Sequence, residues 1–212
     1  LGPVQGKGRV QGVATLTKVV PGSPKAVGLS QGLFPAYSEI NPYRMAVAAV
    51  DTAIRGLVAI GIPPDAIALL DNFCWCSSDD PGRLWQLKQA AFGCRDAAVA
   101  FGAPFISGKD SMFNDFSGFD ASGRPVKVSV LPTLLVSSIG VHPDAGKAVS
   151  LDAKVDGDLM YLLGETRDEP GGSEYAGLLG IEEHDVALVE LEHVANVNHP
   201  IVFIPPVEAI GS

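Results

Sequence analysis

Charge is scarce in this sequence of 212 residues, and basic charge is scarcer still. Charged residues make up 18%, with 15 Lys and Arg against 24 Asp and Glu. A net charge of −9 argues against general nucleic-acid binding, which needs clustered lysine and arginine to displace counterions. Cysteine is nearly absent: three residues, an odd number, make no disulfide framework and fit a reduced, cytoplasmic compartment. Long apolar runs are missing as well. The best stretch, 45–62, carries Asp51 and Arg55 and falls short of the roughly 20 apolar residues of a membrane span. No basic n-region with a cleavage site opens the chain, so no secretory signal is expected. The first residue is Leu1 rather than methionine, which suggests a piece of a longer polypeptide.

What is present is core material. Hydrophobic residues make up 47%, and the 24 glycines and 16 prolines stay below the roughly 25–30% combined share of low-complexity chains. Acidic charge is concentrated at one end: residues 151–212 hold thirteen acidic and two basic residues, whereas residues 1–50 hold one and five. This shift near residue 150 reads as a domain boundary, with an acidic solvated face on one continuous domain as the alternative. Anionic ligands are expected nearer the first 150 residues.

The pattern along the chain predicts alternating strands and helices. Residues 10–20 (VQGVATLTKVV) are β-branched and partly alternating, so a strand is expected, followed by a Gly/Pro-rich loop over 21–35. Asn41 as N-cap and Pro42 at the first helical position open a helix. Its apolar face includes Met45, Ala46, Ala49, Val50, Ala53, Ile54, Leu57 and Val58, and Gly61, Pro63 and Pro64 close it. Residues 66–70 (AIALL) form a short buried strand. Asp80 and Pro81 open a second helix with Leu84, Leu87, Ala91, Cys94, Ala98 and Phe101 on one face, ended by Gly102 and Pro104. A strand over 104–107 leads into a polar turn, Gly108-Lys109-Asp110. In the β-rich stretch 125–141, Pro132 demands an edge, a bulge or two separate strands. Residues 160–164 (MYLLG) read as a further strand, before a glycine loop at Gly171-Gly172. Such a rhythm belongs to an α/β or α+β protein.

Candidate chemistry is thin. Five residues separate Gly102 from Gly108, where a P-loop needs four, and Asp110 stands where it needs Ser or Thr. What remains is an anion or metal contact at Lys109 and Asp110, or a surface turn with a local ion pair. Cys74-Trp75-Cys76 lacks the second ligand pair of a zinc site, so Cys74, Cys76 and Cys94 read as small apolar residues. His142, His184, His193 and His199 form no spaced ligand pair, Asn198-His199-Pro200 has no nucleophile motif beside it, and Glu182, Glu183 and Asp185 read as a solvated acidic face.

Seven strings, taken in order, carry a resemblance. They are GLSQG (28–32), INPYRMAVAAVD (40–51), IALLDNFCW (67–75), LWQLKQAAFGCRDAA (84–98), GAPFISGKDSMFND (102–115), LPTLLVSSIG (131–140) and LLGETRDEPGGSEY (162–175). Together they resemble the second half of the synthetase subunit of phosphoribosylformylglycinamidine synthase, within the aminoimidazole ribonucleotide synthetase superfamily. The resemblance implies an α+β fold. Residues 1–146 would be an N-terminal-like domain, whose strands join a sister domain in a barrel, and residues 147–212 the truncated start of an α/β C-terminal-like domain. It implies an ATP-dependent amidoligase of purine biosynthesis using ATP and Mg2+, a glutaminase subunit or domain as partner, and a homodimer or a pseudo-dimer with the catalytic half. Gly108, Lys109, Asp110 and Ser111 become the candidate nucleotide contacts; no catalytic residue and no metal ligand is expected in this chain. The family's magnesium-holding Asp, Glu and Asn positions fall in register on Val13, Thr52 and Gly56, of which Val13 and Gly56 offer no side-chain oxygen. A one-residue slip would bring in Asp51 as the helix carboxylate. The expected role is therefore structural or auxiliary, with a stand-alone interaction domain as the alternative.

Overall fold

A computed structural model describes residues 2–3, 12–152, 154–157 and 170–180. The strands are β1 (Gly2–Pro3), β2 (Ala14–Thr17), β3 (Ala26–Leu33), β4 (Ile67–Cys74), β5 (Phe105–Ser111), β6 (Asp115–Phe119), β7 (Pro125–Ser129) and β8 (Thr133–His142). The helices are α1 (Pro42–Ala59), α2 (Pro81–Phe101) and the short α3 (Glu174–Leu179). Six strands form an open sheet in the order β1-β2-β3-β8-β4-β5, and β6 and β7 form a separate hairpin. All pairs in the large sheet are antiparallel except β4–β5. The architecture is mixed α/β, as expected, and the described residues close no barrel.

Both long helices start where the sequence marks them. The Asn41 side chain accepts a hydrogen bond from the Arg44 N–H at 3.0 Å, and Pro42 follows it. Asp80 accepts from Gly82 and Arg83 at 2.8 and 3.0 Å. Each cap contributes about 1 kcal/mol. The α2 helix ends at Gly102 in the left-handed conformation (φ 65°), the usual helix stop.

One broad core lies between α1 and the sheet. Met45, Ala49, Val50, Ala53 and Leu57 pack with Leu69, Phe73, Leu134 and Val136, and Trp75 is fully buried. The α2 helix packs on α1 through Ala90, Gly93, Cys94 and Ala97. The expected face is corrected in part: Leu87, Cys94, Ala98 and Phe101 pack on the core, whereas Leu84 is half exposed and Ala91 is exposed. Small residues stand at the crossing itself because the two helices approach closely there. A Cβ on Gly93 would lie 2.5 Å from the Tyr43 carbonyl oxygen.

The Gly/Pro-rich loop expected over 21–35 is also corrected, since most of it is the eight-residue strand β3. Its inward positions are Ala26, Gly28, Ser30 and Gly32, all buried, while Leu29 and Leu33 point outward. Small residues inside let α1 sit close to the sheet: a Cβ at Gly32 would lie 2.1 Å from the Ala49 carbonyl oxygen. Pro132 separates β7 from β8, as anticipated for a residue that cannot donate to a ladder. The expected strand over 160–164, together with His184, His193, His199, Glu182, Glu183 and Asp185, lies outside the described residues.

Candidate functional site

The stretch Gly108-Lys109-Asp110-Ser111 is not a turn. All four residues belong to β5, at the edge of the sheet, in parallel register with Asp71, Asn72, Phe73 and Cys74. The correction has a physical cause: parallel pairing to β4 continues the backbone ladder past the apolar residues 105–106, so composition alone ends the strand too soon. Successive side chains on a strand take opposite faces. Gly108 and Asp110 therefore face the helices, while Lys109 and Ser111 face outward, where Lys109 Nζ donates to Ser111 Oγ at 2.5 Å. The lysine and the aspartate do not converge on one ligand.

On the helix side, the Asp71 carboxylate covers Gly108; a Cβ there would lie 2.5 Å from Asp71 Oδ1. Burial pushes the Asp71 carboxyl above its usual range, and the neighbouring Asp110 charge adds to this. Backbone hydrogen bonds from Lys109 and from its own N–H oppose the shift.

Outward positions of the large sheet mix apolar and neutral polar side chains. The register gives the rows Thr15-Leu29-Ile139-Ala68, Gln31-Ser137-Leu70-Ser107 and Leu33-Leu135-Asn72-Lys109, with Val27 opposite Val141. Leu29, Leu33 and Val141 are 44%, 49% and 48% exposed. Among these positions Lys109 is the one charged side chain. No helix among the described residues covers this face, because α1 lies on the other side with the buried residues Ala26, Ser30, Leu134, Val136 and Ser138.

The positions reached by the family register for magnesium are partly brought together. The Val13 carbonyl accepts the Ser30 hydroxyl at 3.0 Å, and Gly56 on α1 abuts the same serine. Asp51 is buried on α1 and paired with Arg55 four residues on. Burial raises its pKa, and the Arg55 charge works against the rise. Among the described residues no group of three or more His, Cys, Asp and Glu side chains could hold a metal ion.

The cysteines behave as read. Cys76 and Cys94 are buried, Cys74 is half-buried, and all three are free thiols. His142 is no ligand either. Its buried ring accepts the Asp144 N–H on Nδ1 at 3.1 Å, so the neutral ring donates from Nε2 to the Ile60 carbonyl, also at 3.1 Å. The share of this face that β3 contributes is not expected from the sequence, where residues 21–35 read as a loop, whereas Leu135, Ile139 and Val141 lie in the expected β-rich stretch. The alternation Ala-Val-Gly-Leu-Ser-Gln-Gly-Leu over 26–33 is the signal that could have found it, read with the small residues inside.

No family model matches the chain. Solved structures with the same arrangement come from Thermotoga maritima. PurLQS matches with a TM-score of 0.51 at 21% identity, over 68% of this chain and 22% of that one. PurL complexed with ATP matches at 0.50 and 21%, over 66% and 21%. The chain therefore has the mixed α/β fold of a PurL segment. Its sequence relatives carry the same name. Phosphoribosylformylglycinamidine synthase subunit PurL of Methanocaldococcus jannaschii is 35% identical over 172 residues, 80% of this chain and 22% of that protein. The Pyrococcus abyssi subunit is 36% identical over 161 residues, 74% of this chain and 20% of that protein. The chain is a homologue of PurL, and spans about a fifth of the length of the curated relatives it matches.

Proposed function

We propose that this chain is part of the second half of a phosphoribosylformylglycinamidine synthase and acts there as the structural partner of the catalytic half. In the whole enzyme, a phosphoryl group from ATP activates the amide oxygen of formylglycinamide ribonucleotide. Ammonia derived from glutamine on a glutaminase subunit or domain then displaces phosphate, and formylglycinamidine ribonucleotide results. Residues 1–146 are an aminoimidazole ribonucleotide synthetase-like N-terminal domain and residues 147–212 belong to a C-terminal-like domain. The setting is cytoplasmic purine biosynthesis; among the described residues no helix is long and apolar enough to cross a membrane.

The observation that carries this reading is the outward apolar face of the sheet. Leu29, Leu33 and Val141 stand exposed beside the partly exposed Leu135 and Ile139, with Lys109 the one charge in these rows, and grouped exposed apolar side chains mark interaction sites. A sister domain with a similar sheet is the partner that completes it.

A second reading gives the same domain an auxiliary nucleotide, held through Gly108, Lys109, Asp110 and Ser111 without a metal. The pairing of Lys109 Nζ with Ser111 Oγ on an exposed edge strand favours it, since both groups can donate to a phosphate oxygen. The outward and inward alternation of Lys109 and Asp110 limits the contact to one charge.

A chimaera tests the structural reading. The chain, placed in the Methanocaldococcus jannaschii subunit in exchange for the stretch it matches, is expected to support product formation from formylglycinamide ribonucleotide, ATP and ammonia. A folded chimaera without turnover overturns it.

A further inference from the structure

The family register brings magnesium to one corner of the domain, where β2 and β3 meet α1, and the residues there do not fit a cation. Val13 contributes only its backbone carbonyl, and that oxygen is already taken by the Ser30 hydroxyl at 3.0 Å. Gly56 contributes nothing, and the space above it is filled: a Cβ at Gly56 would lie 2.1 Å from Ser30 Oγ and 2.9 Å from Ser30 Cβ. A ligating side chain at this helix position would have to displace the serine.

The next group along is closed as well. Ser138 stands opposite Ser30 in the β3–β8 register. Its hydroxyl donates to the Ala53 carbonyl of α1 at 2.6 Å and also approaches the Ser30 carbonyl at 3.5 Å. Ser30 is 4% exposed and Ser138 fully buried. Magnesium requires near-octahedral oxygen coordination and is held through carboxylates and retained waters. Here the oxygens of Val13, Ser30, Ala53 and Ser138 are neutral hydroxyls and carbonyls engaged with one another, and a dication among them would carry its full desolvation cost. The α1 carboxylate reached by a one-residue shift of register, Asp51, is occupied by Arg55.

From this geometry we infer that the corner is a serine clamp in place of a cation site: Ser30 ties the β2 end of the sheet, Ser138 ties α1, and no divalent ion binds between Val13, Ser30 and Gly56. The family register selects the corner and so rests on the proposed function; the closure is a property of these side chains alone.

Manganese, a paramagnetic substitute for magnesium, gives the test on this chain. Backbone amide spectra titrated with Mn2+ are expected to show no selective broadening at Ser30, Ala53 or Gly56. Selective broadening of these amides at sub-millimolar Mn2+ overturns the clamp. Ser30→Ala is the second arm. It loses one buried hydrogen bond and is expected to lower the unfolding midpoint by about 2–4 °C, equally in magnesium and in EDTA. A wild-type midpoint that rises in magnesium, with the rise abolished by Ser30→Ala, overturns it too. Both readouts are independent of turnover by the chimaera, so failure of the clamp and failure of the enzyme assignment are told apart.

Discussion

Leu29 on β3 stands directly opposite Ile139 on β8, and both side chains lie on the face of the sheet that no helix among the described residues covers. Cross-strand apolar pairs stabilise a sheet, but an open row of them also seeks a second surface. The chain alone is therefore expected to self-associate through this face, as a homodimer burying residues from β2, β3 and β8. Light scattering at tens of micromolar checks the state. Leu29→Lys combined with Ile139→Lys sets like charges opposite each other and is expected to give a monomer that remains folded by circular dichroism. A wild-type monomer under these conditions refutes the expectation.

The two helices were legible because their signals are local. Asn41-Pro42 and Asp80-Pro81 carry cap chemistry in adjacent residues, and Gly102 adopts the left-handed conformation that ends α2. Strand β3 was not legible, because its inside is Ala26, Gly28, Ser30 and Gly32. Strand patterns are sought as large residues within and polar ones without, and here that order is inverted by the close approach of α1. The candidate site shows the same division. The GKDS stretch is plain in the sequence, but the opposite facing of Lys109 and Asp110 depends on pairing with β4, a partner more than thirty residues away. The corner of Val13, Ser30 and Gly56 brings three separate elements together, and no spacing rule along the chain connects Ser30 to it.

Asp71 gives a pH signature. Its pKa is raised by burial and then by Asp110, so the folded state holds the proton more tightly than the unfolded chain. The corresponding stability is present below the unfolded carboxylate pKa of about 3.9 and is lost as pH rises through the folded value. Asp71→Asn keeps an acceptor for the Lys109 N–H and removes the charge. It is expected to raise stability at pH 7, by less than about 1 kcal/mol for this partly exposed group, and to weaken the pH dependence across the acid range. Urea unfolding followed from below the unfolded carboxylate pKa up to pH 7 measures both; a loss of stability at pH 7 contradicts it.

Cys94 tests the assignment of the thiols as core residues. Burial, with a smaller contribution from the Asp71 charge, pushes its pKa up to about 12, so at neutral pH it is protonated and enclosed. Reaction requires thiolate and access. In the native protein, Ellman's reagent is expected to modify Cys74 first and to reach Cys76 and Cys94 only on unfolding. Cys94→Ala removes a small apolar group and is expected to cost about 1 kcal/mol. Rapid modification of Cys94 in the folded state contradicts the packing.

Nucleotide binding decides between a structural and an auxiliary role. A triphosphate without a cation must be neutralised by protein, and the outward face of β5 offers Lys109 alone, beside the Ser111 hydroxyl. One exposed lysine supplies about 1–4 kcal/mol at 4 Å for effective dielectrics between 80 and 20, whereas micromolar affinity corresponds to about 8 kcal/mol. Asp110 lies on the opposite face of the strand, and its neighbour Asp71 adds negative charge there rather than a phosphate contact. Calorimetry with ATP or ADP and magnesium is therefore expected to detect no micromolar binding to this chain, and Lys109→Ala is expected to change the heat by little. A micromolar signal that persists without magnesium and falls at least tenfold in Lys109→Ala would establish the auxiliary nucleotide site instead. Tenfold corresponds to about 1.4 kcal/mol, within reach of that one charge, so the variant separates a phosphate held by Lys109 from a nucleotide bound elsewhere on the domain.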